Sequence, residues 1–201
     1  MYLNNVNMKI LGENREQRLI QLFRRGDATA MDRLYTEYAD YLTGVCFRYI
    51  ADDDNVNDVL QESFIKIFTQ IHSFEYRDKG SLKAWLRRIV INESLRFLRT
   101  SNSLDVKRLD LEEPDMASNM LVADDPPDTG LVDTDTLASL IASLPPGYRT
   151  VLNLYVIDGL SHKEIASQLG IKPDTSASQL HKAKQMLARM IKEYQDKSDK
   201  I

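Results

Sequence analysis

Hydrophobic residues recur along most of this chain at intervals of three and four, which is the spacing of one face of an α-helix. Before residue 100 the repeats form three groups, separated by Gly26-Asp27 and by the acidic run 52–54, both of which suit helix boundaries. The groups are Leu19, Leu22 and Phe23; Met31, Leu34, Tyr35, Tyr38, Leu42, Val45, Cys46 and Tyr49; and Val59, Leu60, Phe64, Ile67, Phe68 and Ile71. The pattern predicts an all-α protein that buries these faces in its core.

A second pattern, over residues 159–192, is typical of two short helices hinged at Gly170. Ser161 and Glu164 have the spacing of a capping box, in which each side chain satisfies a free backbone donor at a helix start. Glycine readily adopts the left-handed conformation that ends a helix, and Pro173 suits the first position of the next. These signals predict a helix-turn-helix, and the alternative is an ordinary helical hairpin within a larger core.

The second helix of this motif is expected to have one buried and one outward face. Leu180, Ala183, Leu187 and Met190 form the expected buried stripe, and the residues expected to face outward are Thr175, Ser176, Ser178, Gln179, His181 and Lys182. Small polar groups followed by cations suit a helix whose N-terminal end enters the major groove of DNA while its flank meets phosphates.

Charge is distributed unevenly along the 201 residues, whose formal net charge is −4. Residues 1–100 carry 15 basic and 14 acidic side chains, and residues 137–201 carry 9 and 6, whereas residues 101–136 carry 2 and 10. The middle segment also has three prolines and little apolar periodicity, which is typical of a flexible, self-repelling linker. We therefore expect two helical domains, 18–100 and 137–195, joined by the acidic linker 101–136, with an N-terminal extension 1–17 and a C-terminal tail 196–201.

Composition argues against several kinds of site. Cys46 is the single cysteine and the three histidines have no ligand-like spacing, so neither a disulfide nor a metal or other cofactor is expected. A calcium loop at Asp52–Asp54 fails because the segment has no central glycine and no closing glutamate. The chain shows neither a signal-peptide core nor an apolar run of membrane-spanning length, and we expect a cytoplasmic protein.

Aromatic and basic residues are interleaved between residues 74 and 99. Within 77–99 seven side chains are basic and two acidic, and Phe74, Tyr76, Trp85 and Phe97 are distributed among and just before them. Cations neutralise phosphates and aromatic rings stack on bases, at about 1–3 kcal/mol each, so the combination suits single-stranded DNA. Trp85 is expected to serve packing first, whereas Phe74 and Tyr76 fall in a predicted loop. By contrast, the mixed face of Asp58, Gln61, Glu62, Ile65 and Lys66 is by itself an ordinary solvated helix surface.

Four segments in order resemble the extracytoplasmic-function (ECF) class of bacterial RNA polymerase sigma factors. They are LFRRGDATAMDRLYTEY, DVLQESFIKIF, GSLKAWLRRIVINESLRFLR and, after the linker, LPPGYRTVLNLYVIDGLSHKEIASQLGIKPDTSASQLHKAK. The resemblance covers about residues 18–193. It implies a region 2-like helical bundle, a region 4-like helix-turn-helix and a protein that directs core polymerase to promoters and opens the DNA. It also implies an anti-sigma partner, which no residue identifies.

The resemblance assigns three sets of residues. The segment around Asp58 to Lys66 docks on the coiled coil of the polymerase largest subunit, with Asp58, Gln61, Glu62, Ile65 and Lys66 as its contacts. The loop and following helix take the minus-ten element through Phe74, Tyr76, Arg77, Lys79, Ser81, Lys83, Trp85, Arg87, Arg88 and Asn92. The helix-turn-helix reads the minus-thirty-five element through Thr175, Ser176, Ser178, Gln179, His181 and Lys182 while it contacts the polymerase flap.

Two other classes of function compete with this interpretation. A helix-turn-helix regulator that binds duplex DNA as a dimer would explain the C-terminal third, but neither the aromatic-basic loop nor the face around Glu62. An enzyme is the weaker alternative, because the sequence has no phosphate-binding glycine loop, nucleophile-base pair or metal cluster. We therefore expect a non-enzymatic protein without catalytic residues.

Overall fold

A computed structural model describes residues 15–101 and 132–198 of the chain, and these residues contain helices and no strand. The helices are α1 Arg15–Arg24, α2 Ala30–Phe47, α3 Asp53–Gln70, α4 Ser81–Thr100, α5 Thr134–Ala142, α6 Pro146–Leu152, α7 His162–Leu169 and α8 Pro173–Ser198. A short 3₁₀ turn, Ile71–Ser73, follows α3, and a π-helical turn, Asn153–Ile157, continues α6. The all-α prediction is confirmed.

The chain divides into two compact units between Arg96 and Phe97, within the last turn of α4. The predicted first domain ended four residues later, at 100. The linker prediction over 102–131 lies outside the described residues, as do most of the extension 1–17 and the end of the tail.

The N-terminal unit is built from α1 to α4 around one apolar core. Leu34 and Leu42 on α2 and Ile67 on α3 are fully buried, as the three-and-four spacing of these helices predicted. Leu82 and Leu86 on α4 are fully buried as well. Asp52 starts α3 as expected, because its side chain accepts a hydrogen bond from the backbone N–H of Asn55 at 3.0 Å. Helix capping therefore accounts for Asp52 without a metal.

Two predicted core residues of α2 are instead on the surface. Met31 is 48% exposed and Tyr35 is 55% exposed, with the Tyr35 ring lying against Phe64 at 4.9 Å between centroids. Both residues share a side of the helix with the core, but they lie near its N-terminal end. Periodicity gives the direction in which a side chain points, whereas coverage depends on how far the neighbouring helices extend.

In each unit the first helix begins three residues before the predicted start of the domain. Helix α1 starts at Arg15, so the last three residues of the predicted extension belong to it, and it buries Leu19, Ile20 and Phe23. Helix α5 starts at Thr134, and Asp133 caps it by accepting from the Thr136 backbone N–H at 2.9 Å. The last residues assigned to the acidic linker are therefore a helix start.

In the C-terminal unit α8 packs on both α6 and α7, and α7 also packs on the π-helical turn. Its fully buried apolar residues are Leu144, Val151, Leu154, Ile165, Leu169 and Ala183. Toward the end of α8 the buried position is Ile191, and the predicted core residue Met190 is half-buried. Arg149 is also buried, and its guanidinium donates to the carbonyl of Ala142, which is the last residue of α5. Burial lowers the pKa of Arg149 from its ordinary value. The hydrogen bond offsets part of the cost of burial, and it gives a partner to one of the carbonyls at the end of α5, which have none within the helix.

Across the two described ranges, every helix is too short or too polar to cross a membrane.

Candidate nucleic-acid interface

Helix α4 has one face in the core and one face of mostly cationic side chains. Leu82, Leu86 and Val90 are fully buried, which fixes the orientation of the helix. Another side exposes Arg88 and Asn92, which lie one turn apart, and Lys83 is exposed separately in the first turn. A cationic face on a helix held by its core side provides fixed positions for phosphate contacts.

The loop before α4, residues 74–80, carries the aromatic and basic side chains assigned to the minus-ten element. Arg77 and Lys79 are exposed, and Tyr76 is half-buried. Phe74 has a structural role that the sequence did not reveal, because its ring packs on Trp85 with 5.1 Å between centroids. The two half-buried rings therefore attach the start of the loop to α4.

Ser81 organises the other end of this loop. Its hydroxyl donates to the carbonyl of Asp78 at 2.7 Å and accepts from the backbone N–H of Arg77 at 3.4 Å. Gly80 has a φ of +91°, a conformation that glycine adopts far more readily than other residues. The loop is thus a closed turn with its cations outside.

One of the predicted DNA-binding cations contacts an aromatic ring of the same unit, and another acts through its charge on a buried phenol. The Lys83 ammonium lies 4.0 Å from the centroid of the Tyr41 ring, a cation–π contact. Arg87 is half-buried near Tyr49, where burial raises the pKa of the phenol and the charges of Arg48 and Arg87 act against that rise. Arg88 is the more exposed of the two adjacent arginines.

The polar face of α3 is exposed where the sequence placed it. Asp58, Gln61 and Glu62 are all exposed. Ile65, one turn further along the helix, is 51% exposed. An exposed isoleucine among acids is the composition of a surface that a cationic and partly apolar partner would cover. Lys66 differs from the other four, because it is held in an ion pair.

The partner of Lys66 is Glu93, a buried carboxylate on α4. Lys66 bonds one carboxylate oxygen, and the Arg96 guanidinium bonds the other at 2.8 Å. Burial acts to raise the pKa of Glu93, but the hydrogen bonds and charges of Lys66 and Arg96 outweigh it, so the pKa lies below its ordinary value. Arg96 also approaches Glu62 at 4.0 Å. These four residues join the acidic face of α3 to the cationic face of α4.

The predicted helix-turn-helix is present in the C-terminal unit. Ser161 and Glu164 form the capping box, with the Ser161 backbone N–H donating to the Glu164 carboxylate at 2.8 Å. This hydrogen bonding lowers the pKa of Glu164. Gly170 ends α7 with a φ of +71°, and α8 begins at Pro173. All four positions match the sequence prediction.

Two of the six residues expected to face outward on α8 are buried, and that part of the prediction is wrong. Ser176 is 0% exposed and its hydroxyl lies 3.0 Å from His162 Nδ1, while Gln179 is 1% exposed. Counting back four residues from Leu180 and from Ala183 gives 176 and 179. The helical period therefore contained the signal, but the polarity of the two side chains obscured it.

The surface that α8 does present is narrower than predicted. His181 is exposed, and its Nε2 lies 2.9 Å from the side-chain nitrogen of Gln185. Thr175, Ser178 and Lys182 are half-buried. Sequence reasoning did not assign two exposed residues of the same helix to this surface, namely Asp174 and Lys184.

Comparison with known families gives one match in each half of the chain. A family described as Sigma-70 region 2 matches residues 34–103, and one described as Sigma-70, region 4 matches residues 134–187. The first match contains α3, the loop 74–80 and α4. The second begins at the first residue of α5 and contains the helix-turn-helix.

Similar proteins extend the match over most of the chain. The ECF RNA polymerase sigma-E factor of Haemophilus influenzae is 29% identical over 182 residues, which cover 88% of this chain and 95% of that protein. The ECF RNA polymerase sigma factor SigE of Mycolicibacterium smegmatis is 30% identical over 168 residues, covering 81% and 63%. A structure of the sigma factor RpoE in complex with the anti-sigma factor NepR from Bartonella quintana is 21% identical, covers 82% of this chain and 98% of that one, and gives a TM-score of 0.47.

Replacing Glu93 with Gln tests the ion pairs that join α3 and α4. The lowered pKa means that the ionised carboxylate stabilises the fold above its ordinary pKa of 4.5, and that this contribution is lost as pH falls through the folded-state value. We expect Glu93→Gln to lower the free energy of unfolding by about 1–2 kcal/mol at pH 7. The difference from the parent protein should shrink as pH falls below that ordinary value.

Urea denaturation at a series of pH values measures this difference. Glu62→Gln is the matched control, because the side chain of Glu62 is 56% exposed and an exposed pair contributes little. A Glu93→Gln protein that is as stable as the parent at pH 7 would contradict the role assigned to these ion pairs.

Proposed function

Because this chain belongs to the extracytoplasmic-function (ECF) group of the sigma-70 family, we propose that three of its surfaces divide the work of a sigma factor. The protein directs RNA polymerase to promoters. The exposed face of α3 binds core polymerase, the loop 74–80 with α4 binds the minus-ten element, and the start of α8 reads the minus-thirty-five element. The observation that carries this proposal is that the N-terminal unit exposes an acidic face and a cationic, aromatic face on adjacent helices.

The polymerase-binding surface consists of Asp58, Gln61, Glu62 and Ile65. The two carboxylates give it negative charge, and the isoleucine gives it an apolar centre. We expect the contacting surface of polymerase to be cationic with an apolar pocket, because charge complementarity speeds docking and apolar burial holds the complex. Lys66 contributes indirectly, by fixing α3 against α4 through Glu93.

Strand opening at the minus-ten element proceeds by capture of unpaired bases. Taking a base out of the duplex costs a few kcal/mol, which new stacking and phosphate contacts must offset. Tyr76 provides an aromatic face in the loop, and Arg77, Lys79 and Arg88 provide cations around it. Phe74 and Trp85 pack on each other and hold the loop on α4. We therefore assign base capture to Tyr76 and a supporting role to these two rings. Opening of this kind uses binding energy, so no side chain needs to act as acid, base or nucleophile.

Weak individual contacts become effective when polymerase holds both units. Residues 1–100 and 137–201 carry net charges of only +1 and +3, and the segment between them carries −8. Free protein should therefore bind promoters poorly. Polymerase fixes the two units at promoter spacing, and their affinities then combine through effective concentration. The protein is expected to act where polymerase acts, in the cytoplasm, and to be held by an anti-sigma partner when not in use.

The upstream element is read by the exposed and half-exposed residues at the start of α8. We assign His181, Ser178 and Thr175 to base edges and Lys182 to a phosphate, because their side chains are at least partly exposed and have the matching chemistry. Ser176 and Gln179 are buried and contribute indirectly, because they pack α8 against the neighbouring helices.

Reversing the charge at Glu62 tests the polymerase-binding surface. Glu62→Lys should reduce affinity for core polymerase by roughly tenfold or more, because it places a cation against a cationic partner. Glu37→Lys, at an exposed position of α2, is the matched control and should bind normally. Affinity is measured by fluorescence anisotropy of labelled protein, and equal binding by both variants would remove Glu62 from the interface.

Removing the aromatic ring of Tyr76 tests base capture. Tyr76→Ala should leave polymerase binding intact and weaken open-complex formation by about 1–3 kcal/mol, the contribution of one stacked base. Permanganate reactivity of promoter thymines measures the opening. Unchanged reactivity would show that the ring does not contact the opened strand.

Substitutions on α8 separate reading from packing. His181→Ala and Ser178→Ala should change the preferred upstream sequence, with discrimination of about 1–3 kcal/mol lost at a contacted base. Gln179→Ala should instead destabilise the C-terminal unit, because the side chain is buried. Transcription from a randomised upstream element measures the preference, and an unaltered preference in both surface variants would refute this assignment of the reading face.

A further inference from the structure

Glu16, on α1, contacts the backbone at the start of α4. Its carboxylate accepts hydrogen bonds from three backbone N–H groups: those of Gly80 at 3.0 Å, Leu82 at 3.4 Å and Lys83 at 3.3 Å. These residues lie more than 60 positions further along the chain. The contact is therefore tertiary, and no local pattern of residues indicates it.

The start of α4 needs such a partner. The first N–H groups of a helix have no acceptor within the helix, and a side chain at the preceding residue usually supplies one. Here the preceding residue is Gly80, which has no side chain. A carboxylate is well suited to replace it, because the N-terminal end of a helix carries partial positive charge.

We propose that Glu16 is a positioning residue for the loop 74–80. This inference rests on the proposed role of that loop in binding the minus-ten element. Glu16 fixes Gly80, where the loop ends, and the next residue, Ser81, holds Arg77 and Asp78 through its hydroxyl. Helix α1 is itself anchored by Leu19, Ile20 and Phe23 in the core. The loop is thus tied to the core at its end by Glu16 and at its start by the packing of Phe74 on Trp85.

Two roles for Glu16, as a negative charge near the DNA-binding face and as a group that positions the loop, lead to opposite predictions. Glu16 places a negative charge beside Lys83 and the cationic face of α4. If its charge were all that mattered, removing it would strengthen DNA binding, because repulsion of phosphates would fall. If it positions the loop, removing it weakens promoter opening in spite of the gain in net positive charge.

The test compares three full-length variants in reconstituted holoenzyme. Glu16→Gln removes the charge at the contact, and Glu37→Gln makes the same change at an exposed position of α2. Val45→Ala removes buried volume from α2 without touching the loop, and it controls for a general loss of stability. Each variant is assayed for polymerase affinity, for thermal unfolding, for permanganate reactivity and for base preference across a randomised minus-ten element.

We expect Glu16→Gln to keep normal polymerase affinity and to reduce opening by roughly 2- to 5-fold, because its amide has one acceptor oxygen where the carboxylate uses two. Its base preference should flatten, whereas Val45→Ala and Glu37→Gln should keep the parental preference. Preference is a ratio between promoters, so it does not depend on the fraction of protein that is folded.

Two results would overturn the inference. One is opening by Glu16→Gln that equals or exceeds that of the parent, while Tyr76→Ala impairs it, and this result would leave the proposed function intact. The other is a flattened preference in Val45→Ala equal to that in Glu16→Gln. If Tyr76→Ala also opens promoters normally, the role of the loop fails and this inference fails with it.

Discussion

Burial of one face of α4 is the constraint on which the N-terminal unit depends. Leu82, Leu86 and Val90 are completely inaccessible to solvent, so this helix cannot rotate without opening the core. Its other side is therefore fixed as well, and Arg88 and Asn92 face solvent at defined positions. The Phe74 ring, packed on this helix, carries the same constraint into the loop.

The charged side chains of this unit are separated onto two helix faces, and the packing of the helices determines where these faces lie. Residues 1–100 are almost neutral overall, yet cations collect on α4 and acids on the exposed face of α3. Glu93 lies between the two faces and satisfies Lys66 and Arg96 at once. A buried acid that is paired twice keeps both helices in register, whereas removal of one partner would leave charge in a low-dielectric environment. We infer that the surfaces proposed for polymerase and for DNA are neighbours held in a fixed relation by these ion pairs.

The C-terminal unit uses polar groups inside its core to orient the helix-turn-helix. Ser176 lies within hydrogen-bond distance of His162, and the His162 ring also stacks on Tyr155 with 4.6 Å between centroids. Arg149 joins α5 to α6 through the carbonyl of Ala142. Hydrogen bonds are directional, so buried polar groups specify the angle between helices more narrowly than apolar contacts do. The reading face of α8 is consequently limited to the residues that these contacts leave outside.

The sequence by itself determined the features whose signals are local. The helical period predicted the all-α fold, and the spacing of Ser161, Glu164 and Gly170 predicted the turn between α7 and α8, because caps and left-handed residues act within a few positions. Only the tertiary structure decided which residues are covered. It buried Gln179 despite its polarity, exposed Tyr35 despite its periodicity, and brought Glu16 to the start of α4 from a distant part of the chain. Coverage and long-range contacts depend on where other helices begin and end, and no local pattern carries that information.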